Sequence, residues 1–545
     1  MKRWGPLVIL AAAQFVMVLD QAVMNVSISQ LVTDLDTTVT AIQAVITLYS
    51  LVMAMFMVTG GKIGDLIGRR RAFIIGLVIY AFGSALTAVS PNVWCLAIGW
   101  SVLEGLGAAL VLPALAALIG GNYVGRDRVT AYAVIGGVAG AGIAVGPILG
   151  GWATTELSWR VVFVGEVVVV LAILASMRLL REVARTGPKP RLDGVGAALS
   201  AVGLGLVVLG VLMASTWGWV APKNSPVEPF GFSLTPFLVA AGAVVLWAFV
   251  RWQRHRTNIG TDPLVHLELF GIRPLRAGLA ALLSQNLILM GIFFTIPLYL
   301  QLVLGFDALD TGLRMLPVSI AMFIASMAGS RLSQTLPTRT IVRAGFGAVL
   351  PAALVLLWTI QPSLSGGWFA VAMALLGLGM GLIASQLGNV VQSSVDESGR
   401  SEAGGLQYTA QQLGSAIGVA LIGAIVLSGL TATWIDRIEA DPRVSDEVTA
   451  QAEVAVSGQV SFVSADELRG GIEATGLDAD TTDALVEDYE DAQLVALKAG
   501  LLASAGIALV ALALTGGLPS RRPDRGSAQA AASAAPDDQT TPSTA

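Results

Sequence analysis

The chain has 545 residues, 55% hydrophobic and only 13% charged, with a mean hydropathy of +0.74 and a formal net charge of −5. A soluble domain carries about 25% charged residues, so the composition excludes an ordinary water-soluble enzyme or binding module. The single cysteine, Cys95, excludes an intramolecular disulfide and a cysteine-based metal site; the two histidines, His255 and His266, lie in a basic loop region where a metal role is not expected.

Apolar runs between charge clusters and Pro/Gly punctuation predict fourteen membrane spans, each near the ~20 residues that cross a ~30 Å hydrocarbon core. The first, 6–28, contains Asp20 and Asn25 and lacks a small-residue cleavage site, so it reads as a span rather than a signal peptide. The second, 42–64, leads into "GGKIGDLIGRRRAF". There Gly61, Gly64 and Gly68 suit a tight turn and close helix approach, and Asp65 lies among Lys62, Arg69, Arg70 and Arg71 as a local ion-pair latch. The third covers 72–90. The fourth, 93–119, carries "GWSVLEGLGAALVLP", and a rise of ~1.5 Å per residue puts Glu104 near its midplane. The fifth, 129–152, ends in "GIAVGPILGG". Gly142, Gly146 and Gly150 share one flat face for close packing, Pro147 is expected to kink the helix, and Gly151 completes the run. The sixth, 160–180, holds Glu166. The remainder are 193–214, 234–252, 276–302, 311–333, 340–359, 367–392, 404–429 and 493–516.

Residues 430–492 form a soluble insertion with 16 acidic and three basic residues. Leu477, Leu485, Val486, Tyr489 and Leu494 recur at helical spacing, which predicts a short helical pair. The insertion reads either as a solvated loop or as a cap that gathers cations. The tail 517–545 is low in complexity and expected to be disordered. With both termini inside, 25 of the 32 basic residues fall in cytoplasmic segments and six in outer ones, as the positive-inside rule requires.

Asp20, Glu104 and Glu166 are the acids embedded in these spans. A charge at such depth costs about 2.5–3.5 kcal/mol on insertion scales, so each is expected to face a cavity or a partner rather than lipid. An acid that binds a proton in one state and releases it when a cation displaces it meets the minimal requirement for exchange. Structural readings stand beside this one. Asp20 can bond Asn25 or a neighbouring helix, Glu104 can pair with a polar group across the bundle, and Glu166 can reach interfacial water. Gln14, Gln285, Asn286, Gln301, Gln386, Asn389, Gln407 and Gln412, with Trp100, Met290, Phe293 and Phe294, are candidates for lining a route. H-E-x-x-H, G-x-S-x-G and G-x-x-x-x-G-K-(S/T) are all missing from the sequence, which argues against an enzyme and against an ATP-driven pump.

The loop at 61–71 resembles the loop signature of the major facilitator superfamily. "GIAVGPILGG" matches that superfamily's antiporter pattern G-x-x-x-G-P-x-x-G-G at every defined position. "LDQAVMNVSI", "YLQLVLGFDALDTGLRMLP" (299–317) and "GGLQYTAQQLGSAIGVALIGAI" (404–425) resemble its fourteen-span drug:proton antiporter family. The resemblance implies an all-α membrane fold of two six-helix bundles, 1–192 and 276–516, joined by two extra helices within 193–275. It implies a monomeric bacterial plasma-membrane protein that exports hydrophobic, often cationic compounds in exchange for protons by alternating access. Export of a lipid or endogenous metabolite is the alternative. Its partners would be such substrates, protons and membrane lipids, with no nucleic acid, cofactor or metal. The sequence departs from the family where the fourth span usually reads R-x-x-Q-G. Ser101 stands at the arginine position and Glu104 at the glutamine, and Glu166 replaces an asparagine in the sixth span, so the arginine's role does not carry over.

Overall fold

The computed structural model describes residues 4–123, 125–180, 182, 191–395, 399–445, 447–449, 462–475 and 477–520. Among them every regular element is a helix, with no strand. In lipid the backbone must satisfy its own hydrogen bonds, and a helix does so within one segment.

The first group of helices comprises α1 (Gly5–Val26), α2 (Ile28–Asp34), α3 (Val39–Ile67), α4 (Arg69–Ala88), α5 (Val93–Leu96), α6 (Gly105–Asn122), α7 (Gly125–Glu156) and α8 (Trp159–Ala175). A π-helical stretch, Ala97–Glu104, joins α5 to α6. Then come α9 (Gly194–Trp217) and α10 (Leu234–Asn258). The second group is α11 (Arg273–Leu298), a π-helical stretch at Tyr299–Val303, α12 (Ala308–Leu332), α13 (Thr338–Thr359), α14 (Gly366–Ser393), α15 (Arg400–Ala440), α16 (Ala465–Glu473) and α17 (Ala479–Leu514). Thirteen helical segments among the described residues are long and apolar enough to cross a membrane, and α7 covers the remaining expected span, 129–152.

Within the first group α1 packs on α7 and α8, and α4 on α6 and α8; within the second, α12 packs on α14, and α15 on α11 and α17. The groups meet where α3 lies along α15 and α7 along α12. The pair α9–α10 leans on this seam through Leu51, Val208 and Ala416, while Val202, Val244 and Trp247 stay exposed, as suits a lipid-facing surface. We call the face where α1 begins and α17 ends proximal, and the opposite face distal.

Polar caps fix several helix starts. Thr38, Ser158, Asp193, Asp307 and Asp478 each accept from a backbone N–H in the first turn of α3, α8, α9, α12 and α17. Asp193 is also met by Trp252 Nε1 and Gln253 Nε2, both at 2.9 Å. Burial pushes its carboxyl up, but the donors of Trp252, Gly196 and Gln253 outweigh it and hold it below its ordinary value.

Three expectations shift. Gly61 and Gly64 lie inside α3, and the turn rests on Gly68 alone, whose φ of 103° places it in the region that favours glycine. The insertion is built mainly by extending membrane helices: α15 runs on to Ala440 and α17 begins at Ala479, with the short α16 between them. The tail starts later than 517, because Leu518 is buried and the Pro519 carbonyl accepts from Arg339 N; its remainder, 521–545, lies outside the described residues.

Candidate functional site

The three embedded acids come from three different helical segments and converge. Asp20 on α1, Glu104 at the end of the first π-helical stretch and Glu166 on α8 are all buried, and oxygens from the three lie within 4.8 Å of one another. They meet inside the first helix group, not in a gap between the two groups.

Each acid is held by one oxygen. Trp100 Nε1 donates to Asp20 Oδ1 at 2.6 Å. Thr87 Oγ1 donates to Glu104 Oε1 at 3.3 Å. Tyr80 and Ser84 donate to Glu166 Oε2 at 3.2 and 3.1 Å. The second oxygens, Asp20 Oδ2, Glu104 Oε2 and Glu166 Oε1, have no hydrogen-bond partner among the described residues. Among the described residues, none of the bonds the three acids make comes from Lys, Arg or His. The cluster therefore crowds three carboxyl groups together where water is scarce, and a small cation entering it meets an oxygen from each.

The local backbone brings this about. An ideal Cβ on Gly83 would lie 2.6 Å from the Gly99 carbonyl and 2.8 Å from Glu104 Cγ. Only glycine lets α4 lie this close to the π-helical stretch, and π segments widen a helix at functional sites. Tyr49 on α3 stacks on Trp100 at 4.4 Å and 2°, and Ser101 Oγ donates to the Val45 carbonyl at 2.7 Å. The site is thus keyed to α3, the helix that also meets α15.

The donors Tyr80, Ser84 and Thr87 escaped the sequence reading, although their spacing of four and three puts them on one face of α4. Trp100, expected on a route, instead holds Asp20. Gln285 and Gln386 donate to the Met380 and Gly329 carbonyls within the second group. Gln21 Nε2 bridges the groups to Gln412 Oε1 at 3.3 Å.

The two motif segments lie elsewhere. Arg69 grips Asp65 Oδ1 through Nε and a second nitrogen at 3.2 and 3.0 Å, as the expected latch requires. Arg70 N donates to Glu182 Oε1 at 3.2 Å, and its guanidinium to the Met177 carbonyl, tying the turn to the end of the α8 segment. Gly142, Gly146 and Gly150 face Val18, Ala22 and Val23 of α1. Gly151 faces the Ala308 carbonyl and Gly312 faces the Pro147 carbonyl, so closely that a methyl group at either glycine would overlap. The flat face thus packs against α1, while the end of the motif seals α7 to α12 at the distal face.

A family model described as "Major Facilitator Superfamily" matches residues 10–419. The puromycin resistance protein pur8 of Streptomyces alboniger is 32% identical over 80% of this chain and 84% of its own length. The probable actinorhodin transporter of Streptomyces coelicolor is 29% identical over 78% and 72%. The multidrug efflux pump LfrA of Mycolicibacterium smegmatis is 27% identical over 85% and 88%. Among solved structures, a bacterial homologue of the human lysosomal transporter Spinster, inward-facing and unoccupied, superposes with a TM-score of 0.58 at 14% identity, covering 94% of this chain and 98% of that one.

Proposed function

The chain belongs to the major facilitator superfamily, and we propose that it exports hydrophobic, often cationic drugs across a bacterial plasma membrane in exchange for protons. It is a multi-pass membrane transporter rather than an enzyme, and the relatives named as a probable actinorhodin transporter, a puromycin resistance protein and a multidrug efflux pump support a role in drug efflux and antibiotic resistance. The observation that carries proton coupling is the buried group of Asp20, Glu104 and Glu166 with three unpartnered oxygens. A proton neutralises such a site at far lower cost than an uncompensated charge.

In this reading the 1–192 and 276–516 bundles rock about a central route, as repeat-built transporters do. The distal face, closed here along α7–α12, is the outer one, and both termini are cytoplasmic. The Asp65–Arg69 latch and the 142–151 segment act in the rocking. One proton moving down 100 mV supplies ~2.3 kcal/mol, worth roughly fortyfold in a neutral substrate's gradient. A second reading, export of a lipid or an endogenous hydrophobic metabolite, is favoured by an apolar groove of about 610 Å³ between α1 and α7, lined by Trp4, Leu7, Phe15 and Val134.

Purified protein in liposomes, given an imposed pH gradient, tests both. Movement of a fluorescent organic cation that stops with an uncoupler and in Glu104→Gln supports drug:proton antiport. Movement of a fluorescent phospholipid alone selects the second reading. Cation movement indifferent to the pH gradient overturns proton coupling.

A further inference from the structure

Two glutamines reach across the distal seam in opposite directions. Gln43, fully buried on α3 of the first group, donates from Nε2 to the Val419 carbonyl at 2.9 Å and to the Ala420 carbonyl at 3.3 Å, both on α15. Its amide lies against Gly423, where any larger residue would collide with it. Gln301, at the π-helical end of α11 in the second group, reaches back. Its Nε2 donates to the Val26 carbonyl at 2.7 Å and its Oε1 accepts from Ser29 N at 3.3 Å. Those two backbone groups flank Ser27, where α1 gives way to α2, so Gln301 serves as a peptide-like bridge over a helix break. Because all four partners are backbone groups of fixed character, the orientation of each amide is determined.

We infer that Gln43 and Gln301 are reciprocal latches that hold the distal face shut and set how often it opens. The inference rests on the reading of the chain as an alternating-access transporter. The two latches are not alike. Gln301 satisfies both ends of its amide. Gln43 leaves Oε1 buried with no partner among the described residues, a cost that opening removes by admitting water. Closure at α3–α15 is therefore held by two donated bonds against one unmet acceptor, which suits an element that must release in each cycle. Separation also frees the Val26 carbonyl and the Ser29 amide, and irregular backbone of that kind is tolerated at membrane depth only where water or protein meets it. The open state must therefore be wet at this point. Gln43 lies six residues from Tyr49, so the helix that touches the acid cluster also carries the latch.

The test reads opening directly and needs no transport. In a Cys95→Ser background, spin labels at Glu156→Cys and Ser363→Cys, both exposed at the distal face, report the separation of the two groups. Methionine matches glutamine in length but donates no N–H···O bond, so Gln43→Met and Gln301→Met keep the packing and delete the latch. Each is expected to raise the ratio of long to short separations about tenfold, the change equivalent to ~1.4 kcal/mol, and the double variant to raise it further. Thermal unfolding monitored by circular dichroism identifies any variant that misfolds, and Gln43→Asn, too short to reach α15, provides a second deletion of the same bonds. Distance distributions within twofold of the parent for both methionine variants overturn the inference. Failure of proton coupling in liposomes, by contrast, leaves this measurement intact.

Discussion

Asp20, Glu104 and Glu166 are each gripped at one oxygen and bare at the other, and this asymmetry separates charge from shape. Glu166 Oε2 accepts from both Tyr80 and Ser84. The carbonyl oxygen of a glutamine at the same place accepts both bonds, so Glu166→Gln preserves the grip and deletes only the ionisable group. Gradient-driven efflux is expected to fall roughly tenfold or more, ~1.4 kcal/mol or above. Counterflow of drug across the same liposomes, which needs no net proton movement, is expected to persist. Wild-type gradient-driven efflux in this variant would remove Glu166 from the coupling site. Ser84→Ala leaves the Tyr80 bond in place and is expected to cost only about 0.5–1.5 kcal/mol of stability. The acids themselves were legible as charges stranded in apolar runs. Their convergence was not, because the rotation of each span about its axis is set by packing, here by Gly83 against Gly99 and by the Tyr49–Trp100 stack.

Among helices, the start of α9 shows how one cap fastens a linking element. Asp193 takes N–H bonds from Gly196, Trp252 and Gln253, and Gln253 Oε1 in turn accepts from Leu264 N and Val265 N. This chain runs on to Glu402 at the start of α15 through His266 N and Nδ1, the latter at 2.8 Å. Asp193→Ala removes the cap and the two side-chain partners, and a cap alone is worth about 1 kcal/mol. The folded carboxyl sits below its ordinary value, so the unfolded chain takes up its proton at higher pH than the folded one. The stabilisation is therefore complete above the unfolded value of about 3.9 and is lost as pH falls through the folded one. Melting of the detergent-solubilised protein is expected to separate wild type from Asp193→Ala at pH 6, with the two converging below pH ~4. A constant gap would show that Asp193 acts through packing alone. Span positions could be read in advance because hydropathy and length determine them. Gln43 could not, since a lone glutamine near a helix end carries no pattern until α15 is laid against it.

For the molecule as a whole, charge sorts by face. The three bases of the 430–492 insertion are all engaged on the distal side: Arg437 with Asp491 at 2.7 Å, Arg443 with Asp441 and Glu487 at 2.6 and 2.9 Å, and Arg469 with Asp483 at 2.5 Å. The same region has 16 acids, so the distal face stays strongly negative after pairing. The proximal ends of α10 and α11 instead carry Arg254, Arg256, Arg273 and Arg276. Translocation machinery retains Lys and Arg of short loops on the cytoplasmic side, and this asymmetry is the ground for proposing that the proximal face is the inner one. Single cysteines in a Cys95→Ser background read this out, because Asp480 and Arg254 are both exposed and lie on opposite faces. Asp480→Cys is expected to react with a membrane-impermeant maleimide in intact cells, and Arg254→Cys only after the membrane is opened. The reverse pattern would turn the molecule over, make the closed distal face cytoplasmic, and convert the proposed exporter into one whose shut gate faces the drug it should collect.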